Sequence, residues 1–494
     1  MRAVVLALAV CAPLLGANLA ESIRLAIDSS AVARTAFWGI QVVDLASGKT
    51  IYELNPNHNF VPASNAKLFT TALALSRLGP GYTFTTRVMA DAPPDAAGRI
   101  AGGIRLMGGG DPNLSARAIP YRMGAITGNP LAAIEDLADQ LVAKGVRQID
   151  GDITGDDTWY VWQPYAVGWG IEDPQSDDGP PISALTLTDN VLTMNVAPGA
   201  AMGEPAALTF SPAIEFYRIE NRVRTIAAGG ERRIRFRRVP GSRYGELWGT
   251  IPLRDRGESL LISVEDPAEY AARALAVALQ ERGVLVKGQA VPRHLFPDEV
   301  PDLSQGPAGE APAGIELARR VSAPLLEDLR ITDKVSQNLH AEMALRAVGK
   351  ARRNVGSFEA GREELKAFLE DIGVEAGTYN LMDGSGLSRL NLVTPRSVVQ
   401  LLQAMYAGEH REAWISLLPV GGQDGTLSSR FGQTPAAGKV HAKTGSLSHV
   451  STLSGYIERA DGTWAAFSML VNNYPGPAAG VRGVMDRICN LIWE

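Results

Sequence analysis

The chain has 494 residues, a formal net charge of −6 and 20% charged residues. That balance, without a long basic run, gives no support to nucleic-acid binding. The six histidines show no His-Glu-x-x-His string, and there are no cysteine pairs at metal spacing, which argues against a zinc hydrolase. The length suits roughly three domains.

Arg2 precedes an apolar run over 3–17, with small residues at Ala17 and Ala20. This predicts an export signal over 1–20. The run is short for a membrane-spanning helix. A lipoprotein reading through Leu8-Ala9-Val10-Cys11 fits poorly, because Val10 suits it badly and the apolar run before Cys11 is short. Removing the leader removes Cys11 and leaves Cys489 alone, so no internal disulfide is expected.

Apolar patterns at 37–43 and 50–54 predict two strands joined by a turn through Ser47-Gly48-Lys49. Gly48-Lys49-Thr50 is no nucleotide loop, since Val43 stands where a glycine is required. A helix is predicted over 64–78, stopped by Gly79-Pro80. From 82 the texture turns β-rich, with strands at 83–89 and 103–107 and then Gly108-Gly109-Gly110-Asp111-Pro112. A helix at 132–145 follows, then strands at 146–154 and 182–196. Positions 205–297 are strand-like apart from one amphipathic helix at 267–282. The Gly/Pro/Ala-rich stretch 305–313 reads as a connector. Beyond it come helical patterns at 326–348, 357–372 and 395–407. Strands follow at 437–446, 453–459 and 464–472, the last two joined by Asp461-Gly462, and a helix closes at 478–493. The pattern is mixed α/β, a long β-rich interruption, and a return to α/β.

Three short motifs carry chemistry. Ser64 and Lys67, at i and i+3 of one helix, share a face. A serine hydroxyl needs a base to become a nucleophile, and a lysine kept neutral by burial and nearby positive charge can serve. Ser336-Gln337-Asn338 offers a hydroxyl to relay a proton and an amide to orient Lys67 and a substrate carbonyl. Lys443-Thr444-Gly445-Ser446 lies in a strand pattern. Its lysine adds positive charge that favours neutral Lys67 and attracts a carboxylate, and Gly445 lets backbone and substrate approach closely. The backbone N–H groups of Ser64 and Ser446 are candidate oxyanion donors. Alone, each motif is commonplace: a helix cap, a turn, a strand end. The ordered triplet in helix start, interhelical turn and strand points to a serine acyl-transfer site.

This set resembles the penicillin-recognising serine enzymes. Ser64 and Ser336 are 272 positions apart (336 − 64), and Ser336 and Lys443 are 107 apart (443 − 336). The large first gap is similar to that of the low-molecular-mass class C penicillin-binding proteins, the D-alanyl-D-alanine carboxypeptidase/endopeptidase family (peptidase family S13-like). The strings over 62–70, 109–112 and 383–389, and Asp424-Gly425-Thr426-Leu427 with Arg430, agree. The resemblance implies an α/β (α+β) transpeptidase/β-lactamase-like catalytic domain with two nested, mostly β inserted domains. The catalytic domain is expected over 21–85 and 321–494, an inserted domain over 86–113 and 204–320, and a third over 114–203 nested within it. Carried over, Ser64 is acylated, Lys67 is the base, Ser336 relays the proton and Asn338 positions the substrate. Lys443, Thr444 and Ser446 hold the terminal carboxylate beside Gly445; Ser446 stands where many relatives have threonine. The implied partners are peptidoglycan stem peptides ending in D-Ala-D-Ala, with β-lactam antibiotics as inhibitors. No metal or cofactor and no further transmembrane segment are expected, and the implied location is periplasmic. The closing helix either packs on the catalytic sheet or touches membrane, and packing is the expectation. A β-lactamase or esterase of the same fold, and a non-catalytic wall-binding scaffold, are the alternatives; the intact triplet argues against the last.

Other features have plainer readings. Gly384-Ser385-Gly386 lacks the spacing of a nucleophile elbow and reads as a structural loop. Asp424 and Arg430 brace the loop near the third motif or form a surface pair. His340 and His449 read as solvated or packed. Trp159, Tyr160, Trp162, Tyr165 and Trp169 read as the core of a small domain.

Overall fold

The computed structural model describes residues 14–123, 128–239, 241–307 and 313–494. Most of the expected leader, with Cys11, and the middle of the 305–313 connector lie outside them. Helix α1, Leu14–Asp28, runs through the expected end of the leader at 20. Ile23 and Ala26 of that helix are buried.

One part of the molecule is built on a five-stranded antiparallel sheet. Its order is Val440–Leu447, Val450–Glu458, Trp464–Asn472, Phe37–Asp44 and Thr50–Leu54. Both ends of the chain thus contribute to one sheet. Helix α2, Ala66–Leu78, buries ten consecutive residues from Ala66 to Leu75. It stops at Gly79, whose φ of +80 is a conformation open to glycine.

Between these parts lies the β-rich interruption. A second five-stranded sheet has the order Ala290–Leu295, Ile153–Val161, Ile104–Met107, Thr85–Ala90 and Ile315–Val321. Helix α3, Ala132–Ala143, and helix α4, Pro267–Glu281, pack beside it. Three three-stranded sheets complete it, with the orders Arg218–Ile226, Tyr244–Pro252, Arg233–Arg238, then Glu258–Ser263, Val191–Ala197, Ala207–Ser211, and the short Leu285–Val286, Gln148–Ile149, Arg99–Ile100. Buried side chains from Val88 to Ala318 form one continuous apolar core under these elements.

The chain then returns to helices: α5 Leu325–Lys334, α6 Asn338–Arg353, α7 Phe358–Asp371, α8 Pro395–Ala407 and α9 Arg411–Leu417. Phe69 and Leu73 of α2 share a core with Leu329, Met343, Phe368, Leu402 and Trp414 of these helices, against Tyr456 and Leu470 of the sheet. Helix α10, Ala478–Trp493, covers the opposite face. Its Val481, Met485 and Ile488 pack with α1 and with Trp38, Ile40 and Phe467. The apolar face of the closing helix is therefore spent on this sheet.

One expected strand differs. The strand expected over 182–196 begins only at Val191. Before it, Thr188, Asp189 and Asn190 all have positive φ. The Asn190 side chain accepts from Leu187 N–H and donates to the Pro181 carbonyl, so side chains serve backbone groups that a ladder would have used. The interhelical turn expected at the second motif is Val335-Ser336-Gln337, between α5 and α6, with Ser336 at φ +64. Helix α9 was not foreseen: seven residues carry too little periodicity to register.

Candidate active site

The first motif sits where a 3-10 turn, Ala63–Asn65, enters α2. Ser64 is half-buried and Lys67 fully buried. Lys67 Nζ lies 3.0 Å from Ser64 Oγ, 2.6 Å from Asn338 Oδ1 and 2.6 Å from the Ser385 carbonyl oxygen. A neutral amine has two N–H donors and one lone pair. The two pure acceptors, Asn338 Oδ1 and Ser385 O, take the hydrogens and leave the lone pair for the Ser64 hydroxyl. Burial pushes Lys67 down to about 8, against the upward pull of Asp383, Glu342 and Asp333.

The second motif is the break between α5 and α6. Gln337 caps α6 by accepting from Leu339 N–H at 2.9 Å. Asn338, the first residue of α6, thereby faces α2. The left-handed turn at Ser336 aims its hydroxyl at the third motif, where Lys443 Nζ donates to Ser336 Oγ at 2.8 Å. Lys443 also donates to the Thr444 carbonyl at 2.9 Å. Burial and the nearby charge of Lys67 hold Lys443 below the ordinary lysine range, with Asp333 pulling the other way.

The third motif lies on the edge strand Val440–Leu447. Asn65 Nδ2 donates to the Lys443 carbonyl at 2.9 Å, tying the start of α2 to that strand. A side chain on Gly445 would meet Thr452 Oγ1 at 2.2 Å, Pro62 O at 2.8 Å and Ser64 N at 2.9 Å. Only glycine permits the Ser64 backbone to come this close. Beside it lies a cavity of about 280 Å³ lined by Thr426, Arg430, Thr444, Gly445, Ser446, Ser451, Thr452 and Arg482. Thr444 and Thr426 hydroxyls are 2.8 Å apart.

All eight expected site residues thus converge from three distant stretches of sequence. Several neighbours were not foreseen. Glu342 Oε1 accepts from Gly384 N–H and Ser385 N–H, each at 2.8 Å, and its other oxygen takes Arg346. Asp383 accepts from Gly386 N–H, Ser388 N–H and Asn391 Nδ2. These two carboxylates shape the loop whose Ser385 carbonyl holds Lys67. Gly384-Ser385-Gly386 is accordingly a structural loop, with the Ser385 hydroxyl buried against Asp383 at 3.2 Å. Asn338, Glu342 and Arg346 recur every four residues of α6, a one-face signal present in the sequence. Asp333 is fully buried, with Thr71 donating to it at 3.1 Å.

His340 is packed, not solvated. It is held between Asp328 Oδ1 at 2.6 Å and Asp189 Oδ1 at 3.1 Å. Asp189 also takes Gln337 Nε2 at 3.1 Å and pairs with Arg117. The cluster ties the inserted region to the cap of α6. His449 lies at the surface, with Nδ1 3.0 Å from the Tyr474 carbonyl. Asp424 and Arg430 do not pair with each other. Asp424 takes Lys334 Nζ at 2.6 Å, and Arg430 pairs with Asp486.

The five aromatic residues are dispersed rather than gathered into one small-domain core. Tyr160 is buried in the core of the catalytic helices. Trp162 stacks on His294, and Trp159 is exposed under Lys350. Trp169 Nε1 donates to Asp383 at 3.0 Å. The 163–181 segment of the insertion therefore reaches the site, where the Asp178 carbonyl also accepts from Asn338 Nδ2 at 2.7 Å.

An antiparallel sheet with a Ser-x-x-Lys helix on one face, joined by a helical turn and a Lys-Thr-Gly edge strand, defines a hydrolase of the transpeptidase/β-lactamase-like class. Within that class the chain belongs to the D-Ala-D-Ala carboxypeptidase 3 (S13) family, which it matches over residues 19–490. It is 35% identical over 451 residues to the D-alanyl-D-alanine carboxypeptidase of Actinomadura sp. (strain R39), covering 89% of this chain and 78% of that one. It is 25% identical over 441 residues to the D-alanyl-D-alanine carboxypeptidase DacB of Haemophilus influenzae, covering 88% and 85%. The crystal structure of penicillin binding protein 4 (dacB) from Haemophilus influenzae shares the fold, with a TM-score of 0.80, 23% identity, and 97% and 99% of the two chains covered.

Proposed function

We propose that this enzyme is a serine D,D-carboxypeptidase that removes the terminal D-Ala from peptidoglycan peptides ending in D-Ala-D-Ala, through an acyl-enzyme on Ser64. The observation that carries this is the placement of Lys67 Nζ between Ser64 Oγ, Asn338 Oδ1 and the Ser385 carbonyl.

Ser64 Oγ attacks the penultimate carbonyl while its proton passes to Lys67 Nζ. The backbone N–H groups of Ser64 and Ser446 receive the oxyanion. Ser336, backed by Lys443, hands its proton to the departing nitrogen and takes the one held by Lys67 in its place, and D-Ala leaves. Water then attacks the ester on Ser64, giving a proton to Lys67, which passes it back to Ser64 Oγ as the acid is released. A β-lactam presents the same acyl centre and acylates the same serine. The D-alanyl-D-alanine carboxypeptidases among its relatives support this substrate class. Such a substrate lies outside the cytoplasm, in keeping with the export signal read over 1–20. Among the described residues no helix is long and apolar enough to cross a membrane.

Cleavage of D,D cross-links uses the same acyl-enzyme, with a larger leaving group. A fast-deacylating β-lactamase is less well supported. A carboxylate free to activate water would favour it, whereas Glu342 and Asp383 are engaged by backbone N–H groups and side chains. The test is release of D-Ala from a peptide ending in D-Ala-D-Ala. Wild type releases it and Ser64→Ala does not. Equal release by the two proteins rules out Ser64 as the nucleophile.

A further inference from the structure

We infer that the outward face of the sheet Arg218–Ile226, Tyr244–Pro252, Arg233–Arg238 is a non-catalytic docking surface for polymeric peptidoglycan, separate from the cleft at Ser64. The inference rests on the carboxypeptidase reading above and adds to it: the enzyme is held on the wall polymer as well as on the peptide that it cleaves.

Side chains alternate between the two faces of a strand. The inward set here, with Val223, Ile234, Leu247 and Ile251, belongs to the apolar core of the insertion. The register sets the outward side chains in rows. Arg222, Trp248 and Arg235 lie side by side across the three strands, and Arg224, Thr250 and Arg233 form the next row. Arg218 stands beside Tyr244 at one end, and Arg237 beside Glu246. The six arginines are all exposed, and Trp248 is 41% exposed between its two. In a chain of net charge −6, this is a concentrated positive field. Arg222, Arg233 and Arg237 pair with Glu220, Glu231 and Glu246 at 2.5 Å each. Arg218, Arg224 and Arg235 have no carboxylate within 4.0 Å among the described residues.

The arginine rows flank the central strand on both sides. They repel across it at roughly 10 Å, twice the strand spacing, a separation that physiological salt screens only in part. An anionic chain laid along the central strand meets guanidinium groups from both rows. Guanidinium groups take carboxylates in a bidentate fork, and an exposed indole offers a flat apolar face to a sugar ring. A wall polymer carries both partners: a free carboxylate on each stem peptide ending in D-Ala-D-Ala, and a glycan of pyranose rings. A bilayer suits the face less well. No outward position between Arg218 and Arg224, Tyr244 and Thr250, or Arg233 and Arg237 is aliphatic, so little there would enter hydrocarbon. The sheet is also tied to the site. The backbone N–H of Arg238 donates to Gln175 Oε1 at 3.3 Å, in the segment whose Asp178 carbonyl meets Asn338. Polymer on this face is therefore held by the part of the insertion that borders the cleft.

The experiment measures co-sedimentation with isolated peptidoglycan sacculi and D-Ala release from sacculi and from a short peptide ending in D-Ala-D-Ala. It uses wild type, a double variant carrying Arg224→Glu and Arg235→Glu, and Trp248→Ala. The double variant is expected to bind sacculi about tenfold more weakly, since it reverses two exposed charges. Trp248→Ala is expected to bind about threefold to tenfold more weakly. Release from sacculi falls with binding in both, while kcat/KM on the short peptide stays within about twofold of wild type. Rising salt weakens wild-type binding and closes its gap to the double variant. Wild-type binding by either variant overturns the inference, as does an equal loss on sacculi and short peptide, which assigns the face a structural role. Vesicles of phosphatidylglycerol and phosphatidylcholine are the control: if wild type binds them more tightly than sacculi and the double variant does not, the partner is a membrane surface and the inference fails. A wild type that binds sacculi through this face but releases no D-Ala from either substrate overturns the carboxypeptidase reading and leaves the surface standing.

Discussion

Asn338 Oδ1 accepts a hydrogen bond from Lys67 Nζ at 2.6 Å across 271 positions of sequence. The amide nitrogen of Asn338 donates to the Asp178 carbonyl, which fixes the end of the amide that faces the lysine. The contact holds one Lys67 hydrogen away from Ser64. Asn338→Ala frees that hydrogen to compete for the serine oxygen. It is expected to slow acylation by about a hundredfold, the lower range for a general base. Stopped-flow acylation by a chromogenic β-lactam measures this, and an unchanged rate removes Asn338 from the proton path.

As the proposed base, Lys67 must be neutral, and burial holds it down to about 8. Below that pH it is protonated, so kcat/KM rises with pH and levels above about 8. Lys443 and Asp333 titrate in the same buried cluster, so the limb reports the cluster rather than one group. Lys67→Arg stays protonated throughout and removes the limb together with the activity. A wild-type profile already flat from pH 6 upward contradicts the assignment.

His340 stands between two buried carboxylates. Burial alone lowers its pKa, but Asp328 and Asp189 win and raise it to about 9 from 6.5. Its folded pKa is the higher one, so the charged cluster stabilises fully below 6.5, and that stability fades as pH rises through about 9. His340→Ala leaves two carboxylates buried and is expected to cost about 3–5 kcal/mol near neutrality. Urea unfolding at pH 6 and at pH 9.5 checks the sign: the gap between wild type and variant narrows at the higher pH. A gap independent of pH means that His340 acts by packing alone.

Gly445→Ala places a methyl group 2.9 Å from Ser64 N and 2.2 Å from Thr452 Oγ1. The edge strand must retreat from the nucleophile. Displacements near 1 Å cost about a hundredfold in rate, so acylation falls by that order while thermal stability changes little. Retained activity shows that the strand yields elsewhere.

The three motifs were legible because their residue types and order are themselves the chemistry. Ser64, Lys67, Ser336, Asn338 and Lys443 needed no distances to be picked out. The neighbouring helices were legible too, since α8 and α10 each bury one periodic face and α2 is an apolar run stopped by Gly79-Pro80. What the sequence concealed is pairing at a distance. Nothing local to Ser385 says that its carbonyl faces Lys67, nothing near Asp189 says that it meets His340 151 positions away, and nothing around Arg482 points to Ser446. The stretch before Val191 was misread because its apolar residues alternate as in a strand. Hydrogen bonds from Asn190 and the positive φ angles of 188–190 decide its path instead.

The central claim is that Ser64 is the group acylated. Intact-mass analysis after brief exposure to benzylpenicillin, on wild type and Ser64→Ala, tests it most directly. The account predicts one adduct of the drug's mass on wild type, mapped by peptide digestion to Ser64, and none on the variant. An adduct that persists in Ser64→Ala, or intact drug beside unmodified wild type, contradicts it.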